Sequence, residues 1–187
     1  RWVGGFIFLV KREECTDTLR PFISLFVDLM AKKLLSMSDD PGRRIYMFLD
    51  EFGTLQMLPS ILRLAIAGGS KGCVLVIGIQ DFAQISKIYG PEKAESLFNS
   101  CGTAVIFNVV DPKTARFFAE RIGEREFKEI SETISMGLTD SRDGRSLTKG
   151  RKRELVILPS EIQSLKKREA YVKFPEHNPV LLKVEIN

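Results

Sequence analysis

The chain of 187 residues carries 28 basic and 24 acidic side chains, with 44% apolar and 28% charged residues, the profile of one ordinary globular domain. No apolar run approaches the roughly 20 residues that a membrane-spanning helix needs. Cys15, Cys73 and Cys101 are odd in number, and His177 is the only histidine; this argues against a disulfide framework, a Cys/His metal site and a histidine-based triad, and fits reduced cytosolic thiols.

In chain order, Phe6 to Val10 after Gly4-Gly5 reads as a buried strand. Without an initiator Met and starting abruptly on this segment, the chain has the look of a fragment whose upstream part, membrane anchors included, lies elsewhere. Asp17 or Thr18 can cap a helix running to about Met37. Pro21 would lie in its first turns, with Phe22, Leu25, Phe26, Leu29, Met30, Lys33 and Leu34 on one apolar face. Ser38-Asp39-Asp40-Pro41-Gly42 breaks it. Ile45 to Leu49 is a short apolar run of the length of a buried strand, and it ends in Asp50-Glu51.

Pro59 opens a helix with Ile61, Leu62, Leu64, Ala65 and Ile66, and Gly68-Gly69 closes it. Cys73 to Ile79 is a second buried strand, finishing on Gln80. Helices are expected from Asp81 to Tyr89 and from Pro91 to Ser100. Thr103 to Phe107 is a third strand, and a helix runs from Asp111-Pro112 to Ile122. This alternation gives an α/β fold with a parallel sheet wrapped by helices.

After Gly123 the pattern changes. Phe127 to Met136 and Arg153 to Leu158 alternate like an antiparallel ribbon. Pro159-Ser160-Glu161 starts a short helix, and Ala170 to Phe174 with Val180 to Ile186 form a closing strand pair. One single domain over residues 1–187 is expected.

The net charge of +4 sits in one place. Thr139 to Arg153, expected as a loop, holds Arg142, Arg145, Lys149, Arg151, Lys152 and Arg153 against Asp140 and Asp143. Such a stretch can contact nucleic-acid phosphates, or be a solvated loop.

Open α/β sheets bind ligands beyond the strand C-termini. Asp50 there can hold Mg²⁺ through a water, and Glu51 can accept a proton from an attacking water. The alternative is a strand that ends in two solvated acids. Gln80 ends the next strand, 29 positions after Glu51; its amide can bond a γ-phosphate or orient water, or simply precede a helix. The Gly68-Gly69-Ser70-Lys71-Gly72 segment follows a helix and precedes a strand, the wrong order for a phosphate loop. Lys71 can still face the phosphates of a neighbouring subunit. No G-x-x-x-x-G-K-[ST] loop, dinucleotide fingerprint or nucleophile elbow is present. Arg116 and Arg121 on the helix after the third strand are either solvated or directed to a neighbour.

Several ordered motifs carry a resemblance. They are Asp50-Glu51, Gly78-Ile79-Gln80, Ala83-Gln84-Ile85, Ile88-Tyr89-Gly90, Leu97-Phe98-Asn99 and Ile122-Gly123-Glu124. The run Leu158 to Leu165, and the opening Phe6-Ile7-Phe8-Leu9 with Leu19-Arg20-Pro21, complete the set. Together they resemble type IV secretion coupling proteins of the TraD group along essentially the whole chain. The resemblance implies part of a RecA-like (P-loop NTPase) motor domain that uses ATP and Mg²⁺. In such a motor a homo-hexamer at the cytoplasmic face of the bacterial inner membrane pumps single-stranded DNA with its relaxase into a type IV secretion channel.

On that resemblance Asp50-Glu51 would be the Walker B pair and Gln80 the γ-phosphate sensor. Lys149, Arg151, Lys152 and Arg153 would be candidate DNA contacts. The phosphate loop, membrane helices and an all-helical insertion would lie upstream. The family often has a trans-acting arginine in the segment aligned with Gly68 to Lys71; here only Lys71 stands there, and it lacks arginine's planar fork. Two other readings are another hexameric DNA translocase and a non-catalytic docking module for relaxosome or secretion proteins.

Overall fold

Residues 5–10, 16–135 and 144–185 are described in the computed structural model of the chain, which divides into two units, Arg1–Thr103 and Ala104–Asn187. The expectations for Gly4, Cys15, Met136, Ile186 and Thr139 to Asp143, including Arg142, fall outside the described residues.

In the first unit, helix α1 (Thr16–Leu35) is followed by strand β1 (Ile45–Leu49), a 3-10 turn (Phe52–Thr54) and helix α2 (Pro59–Ala67). Strand β2 (Cys73–Ile77), helix α3 (Phe82–Tyr89) and helix α4 (Pro91–Ser100) complete it. β1 and β2 pair in parallel, from Ile45 opposite Cys73 to Leu49 opposite Ile77, so both strands end at the same edge. A crossover through α2 returns the chain to that pairing, as a parallel connection requires. Pro59 at the first position of α2 and Pro91 at that of α4 suit helix starts, where the missing N–H is not needed. Asp81 caps α3 by accepting the Ala83 N–H at 2.7 Å. Phe52, Leu58, Ile61, Leu64, Ile85 and Leu97 are almost fully buried, each stabilising the unit by about 1.5–3 kcal/mol.

α1 buries a face that shares Leu34 with the expected one and otherwise differs from it. Val27, Ala31 and Leu34 are buried while Phe22, Leu25, Phe26 and Leu29 are exposed. The reason lies in a polar stripe on the inward side. Arg20 donates to the Leu55 carbonyl at 3.0 Å, Ser24 accepts the Gln56 N–H at 3.0 Å, and Asp28 accepts the Ser60 N–H at 3.1 Å. Spaced four apart, these residues lie on one helical face and satisfy backbone groups of the segment leading into α2. Phe6 to Val10, expected as a buried strand, is irregular and exposed; it pairs with no strand among the described residues.

The second unit holds strand β3 (Ala104–Ile106), helix α5 (Pro112–Ile122), strands β4 (Glu124–Ser135) and β5 (Gly144–Leu155), helix α6 (Pro159–Gln163), and strands β6 (Glu169–Lys173) and β7 (Val180–Lys183). Its core gathers Ile106, Ala115, Ala119, Ile122, Ile157 and Ile162. Two expectations are corrected here. β3 does not extend a parallel sheet; it pairs antiparallel with β6, which pairs antiparallel with β7. The stretch expected as a basic loop is instead mostly strand, since β4 and β5 form one antiparallel ribbon from Glu124 opposite Leu155 to Ser135 opposite Gly144. An antiparallel ribbon tolerates a polar, charged strand because its backbone bonds close regardless of side chain, and opposite charges across it attract.

Candidate active site

The parallel pairing fixes where chemistry can occur. Both acids follow β1 and Gln80 follows β2 by three residues, so they leave the sheet at one edge. Gln80 Nε2 donates to Glu51 Oε1 at 3.0 Å. Asp50, Glu51 and Gln80 are all exposed, leaving their remaining lone pairs and protons open to a ligand.

The turn carrying Glu51 is held from several sides. Glu51 has φ 48° and ψ 48°, the left-handed region, which costs a non-glycine residue about 1–2 kcal/mol. The conformation persists because its surroundings over-determine it. The Glu51 N–H donates to Asp50 Oδ1 at 3.1 Å, and the Glu51 carbonyl accepts from Thr54 Oγ1 at 2.9 Å and from the Thr54 N–H at 2.8 Å. The Phe52 N–H donates to the Gly78 carbonyl and the Gly78 N–H to the Leu49 carbonyl, each at 2.9 Å. Gly78 is close against Asp50; a Cβ there would stand 3.0 Å from Asp50 Oδ1. Behind the turn, Phe52 stacks on Tyr89 with ring centroids 5.6 Å apart. The Tyr89 hydroxyl oxygen accepts the Leu58 N–H at 2.9 Å, and burial pushes its pKa up to about 12. Thr54, and Gly78 and Tyr89 from the motifs quoted for the resemblance, are therefore supporting residues to which the sequence alone assigned no role. The Gly at position 78 between a strand and Gln80 was the one available signal.

Lys71 lies elsewhere. It precedes β2, at the edge opposite Glu51 and Gln80, and its ammonium is paired with Asp39. Ser70 also donates to Asp39 at 3.0 Å, and hydrogen bonds from Lys71 and Ser70 hold the Asp39 carboxyl below its ordinary pKa. Gly72, with φ 75°, closes this corner as a left-handed residue against the Arg43 carbonyl; the helix end expected at Gly68-Gly69 continues into a 3-10 turn, Gly69–Lys71.

The candidate DNA contacts lie on β5, with Lys149 opposite Ile130, Arg151 opposite Lys128, Lys152 opposite Phe127 and Arg153 opposite Glu126. Arg151 and Arg153 share one face by the strand's period of two. Arg151 pairs loosely with Glu126 at 3.7 Å and Lys152 with Glu154 at 3.6 Å. On α5, Arg116 pairs with Glu120 at 2.8 Å, which occupies it on its own helix.

Two exposed carboxylates and an amide thus meet at a parallel strand edge, on a turn held in a left-handed conformation. The family model described as the type IV secretion-system coupling protein DNA-binding domain matches residues 1–187, and the chain belongs to that family.

The coupling protein TraD of Escherichia coli (strain K12) is 34% identical over 178 residues, covering 95% of this chain and 25% of TraD. Among solved structures, the unbound bacterial conjugative coupling protein TrwB superposes with a TM-score of 0.79 at 32% identity, covering 95% of this chain and 40% of that one. The plasmid coupling protein TrwB in complex with ADP and Mg²⁺ gives 0.78 at 30% identity, covering 95% and 39%. The fold is thus the α/β, RecA-like type of these coupling proteins, with a parallel pair and antiparallel strands together. The chain spans about a quarter of the length of TraD.

Proposed function

We propose that this chain is the C-terminal part of the motor domain of a conjugative coupling protein, an ATPase that drives single-stranded DNA with its bound relaxase into a type IV secretion channel. The single observation that carries the reading is the 3.0 Å hydrogen bond joining Gln80 to Glu51 at the shared end of β1 and β2. It brings together the groups that must act on one phosphate and one water.

In this reading Glu51 accepts the proton of the attacking water. Gln80 orients that water or senses the γ-phosphate, and gives up its bond to Glu51 when it does so. Asp50 fits a hard divalent cation: its carboxylate is exposed, Oδ2 makes no hydrogen bond among the described residues while Oδ1 is anchored by the Glu51 N–H, and Gly78 leaves room beside it. Mg²⁺ bound with ATP would supply charge neutralisation at the phosphates. Lys71, at the sheet edge away from Glu51, would have to leave Asp39 to act across a subunit boundary in a homo-hexamer. Arg151, Lys152 and Arg153, with Lys149, grip the phosphates of the DNA strand from the β4–β5 ribbon. The full protein works at the cytoplasmic face of the inner membrane with relaxosome proteins and the secretion channel; among the described residues no helix is long and apolar enough to cross a membrane.

The test is Glu51→Gln in the full-length protein. DNA-stimulated ATPase activity and DNA transfer are both expected to fall by at least 100-fold, about the loss of a positioned general base, while the fold is retained. Unchanged transfer would assign the domain to docking. Residues 1–187 alone are expected not to hydrolyse ATP, and Mg²⁺-dependent turnover by them that Glu51→Gln abolishes would overturn that expectation.

A further inference from the structure

A cavity of about 510 Å³ opens behind the Glu51 turn, entirely within the first unit. Its walls come from three elements: the start of α1, the 3-10 turn after Glu51, and the middle of α3. Arg20 and Lys87 supply two cations, Asp17 one acid, and Thr54 and Gln84 further polar groups. Cavities of this size hold small ligands, and most of the residues around this one carry polar or charged groups, Ile88 being its one large apolar side chain.

The donor inventory is unbalanced. Arg20 spends one N–H on the Leu55 carbonyl at 3.0 Å, which fixes its guanidinium at the exit of the 3-10 turn. Its Nε is buried and has no partner among the described residues. Lys87 has no ion pair or hydrogen bond among the described residues. Arginine and lysine are donors only, so their unspent protons call for an acceptor-rich, anionic ligand. Asp17 makes no ion pair with either cation among the described residues, so the acid does not neutralise them in place. Gln84 rests over Gly53, where a Cβ would stand 2.2 Å from the amide; the glycine gives the cavity floor its depth.

From this we infer that the cavity is a phosphate-binding site separate from the Glu51–Gln80 pair, with Arg20 and Lys87 as its anion-binding groups. The phosphate comes either from a nucleic-acid backbone or from a free polyphosphate, since both present the same oxygens. The inference stands on the cavity alone and does not depend on the motor assignment.

Amide NMR of the 187-residue chain tests it, with inorganic pyrophosphate as the probe. Saturable shifts are expected at Gly53, Thr54 and Ile88. Lys87→Ala is expected to weaken the apparent affinity about tenfold, the loss of one charge-assisted contact, and Arg63→Ala on α2 to leave it unchanged. Arg20→Gln should weaken binding similarly; because Arg20 also holds the Leu55 carbonyl, the exposed Lys87 provides the variant that does not touch the fold. A short oligothymidylate that displaces pyrophosphate at these amides assigns the site to a nucleic-acid backbone; failure to displace assigns it to free polyphosphate. Absence of saturable shifts, equal affinity in Lys87→Ala, or an equal loss in Arg63→Ala would overturn the inference. So would shifts at these amides from a glutamate-rich peptide where pyrophosphate gives none.

Discussion

Replacing Tyr89 by Phe isolates the support beneath the Glu51 turn. Tyr89 is 5% exposed, and its hydroxyl is the acceptor for the Leu58 N–H that leads into α2. Tyr89→Phe keeps the ring and its stacking on Phe52 but leaves a buried backbone N–H unpaired, a cost of about 1–3 kcal/mol. At about 2–4 °C per kcal/mol for a chain of this size, the melting temperature should fall by several degrees at pH 8. The pH dependence gives a second readout. Burial raises the Tyr89 pKa from 10.0 to about 12, assisted by the Asp28 charge and opposed by the Leu58 N–H.

A folded-state pKa above the unfolded one means that the protonated phenol contributes stability in full below pH 10 and loses it as pH rises towards 12. The stability gap between wild type and Tyr89→Phe should therefore narrow between pH 10 and 12. Urea unfolding across pH 8 to 12 measures both effects. A Phe variant as stable as wild type at pH 8, or a gap that does not change through that window, would refute the buried hydrogen bond and the pKa reasoning together.

Gly72→Ala should destabilise the first unit by about 2–4 kcal/mol, because the left-handed residue pays about 1 kcal/mol and its Cβ would stand 2.3 Å from the Arg43 carbonyl oxygen. Gly69→Ala, with nothing within 4 Å, is the near-neutral control in the same thermal melts. Gly78→Ala should change stability by less than about 1 kcal/mol, since the exposed Asp50 can shift, yet reduce Mg²⁺-dependent ATPase activity of the full-length protein. Equal activity would show that Asp50 tolerates displacement. Reversing Arg151 and Arg153 together to Glu should weaken single-stranded DNA binding and flatten its salt dependence by about 1–2 in log–log slope, as read by fluorescence anisotropy at several salt concentrations.

The strand-end site was legible in the sequence because its signals are local. An apolar run of five followed by two acids can end only where a strand leaves the sheet, and Gln80 likewise follows such a run. The α1 face was not legible, because apolar spacing alone cannot say which of two faces is covered. Phe22, Leu25, Phe26 and Leu29 form the more obvious stripe, yet Arg20, Ser24 and Asp28 decided the orientation by bonding the backbone before α2. The antiparallel ribbon itself is legible, but most of β5 reads as its connecting loop, because Gly144 to Arg153 lacks apolar alternation and its pairing with β4 comes from backbone register. The partner of β3 was likewise non-local, since β6 begins more than 60 residues later.

The geometry around Glu51 also explains how two turns can act as one. The Phe52 N–H and the Gly78 N–H bridge the ends of β1 and β2 in both directions. Gln80 lies two residues beyond Gly78, so these two bonds tie the segment that carries it to the backbone that holds Glu51. Glu51 sits in a left-handed conformation that these bonds maintain, so it has a lower-energy alternative available if they loosen. From the opposite side, Phe52 is clamped by Tyr89 and the 3-10 turn is fixed to α1 through Arg20 and Leu55. The acid is therefore poised between a yielding partner, the exposed Gln80 amide, and a rigid one, the buried aromatic pair. α3 meets the 3-10 turn after Glu51 at two points, with Gln84 over Gly53 and Tyr89 under Phe52.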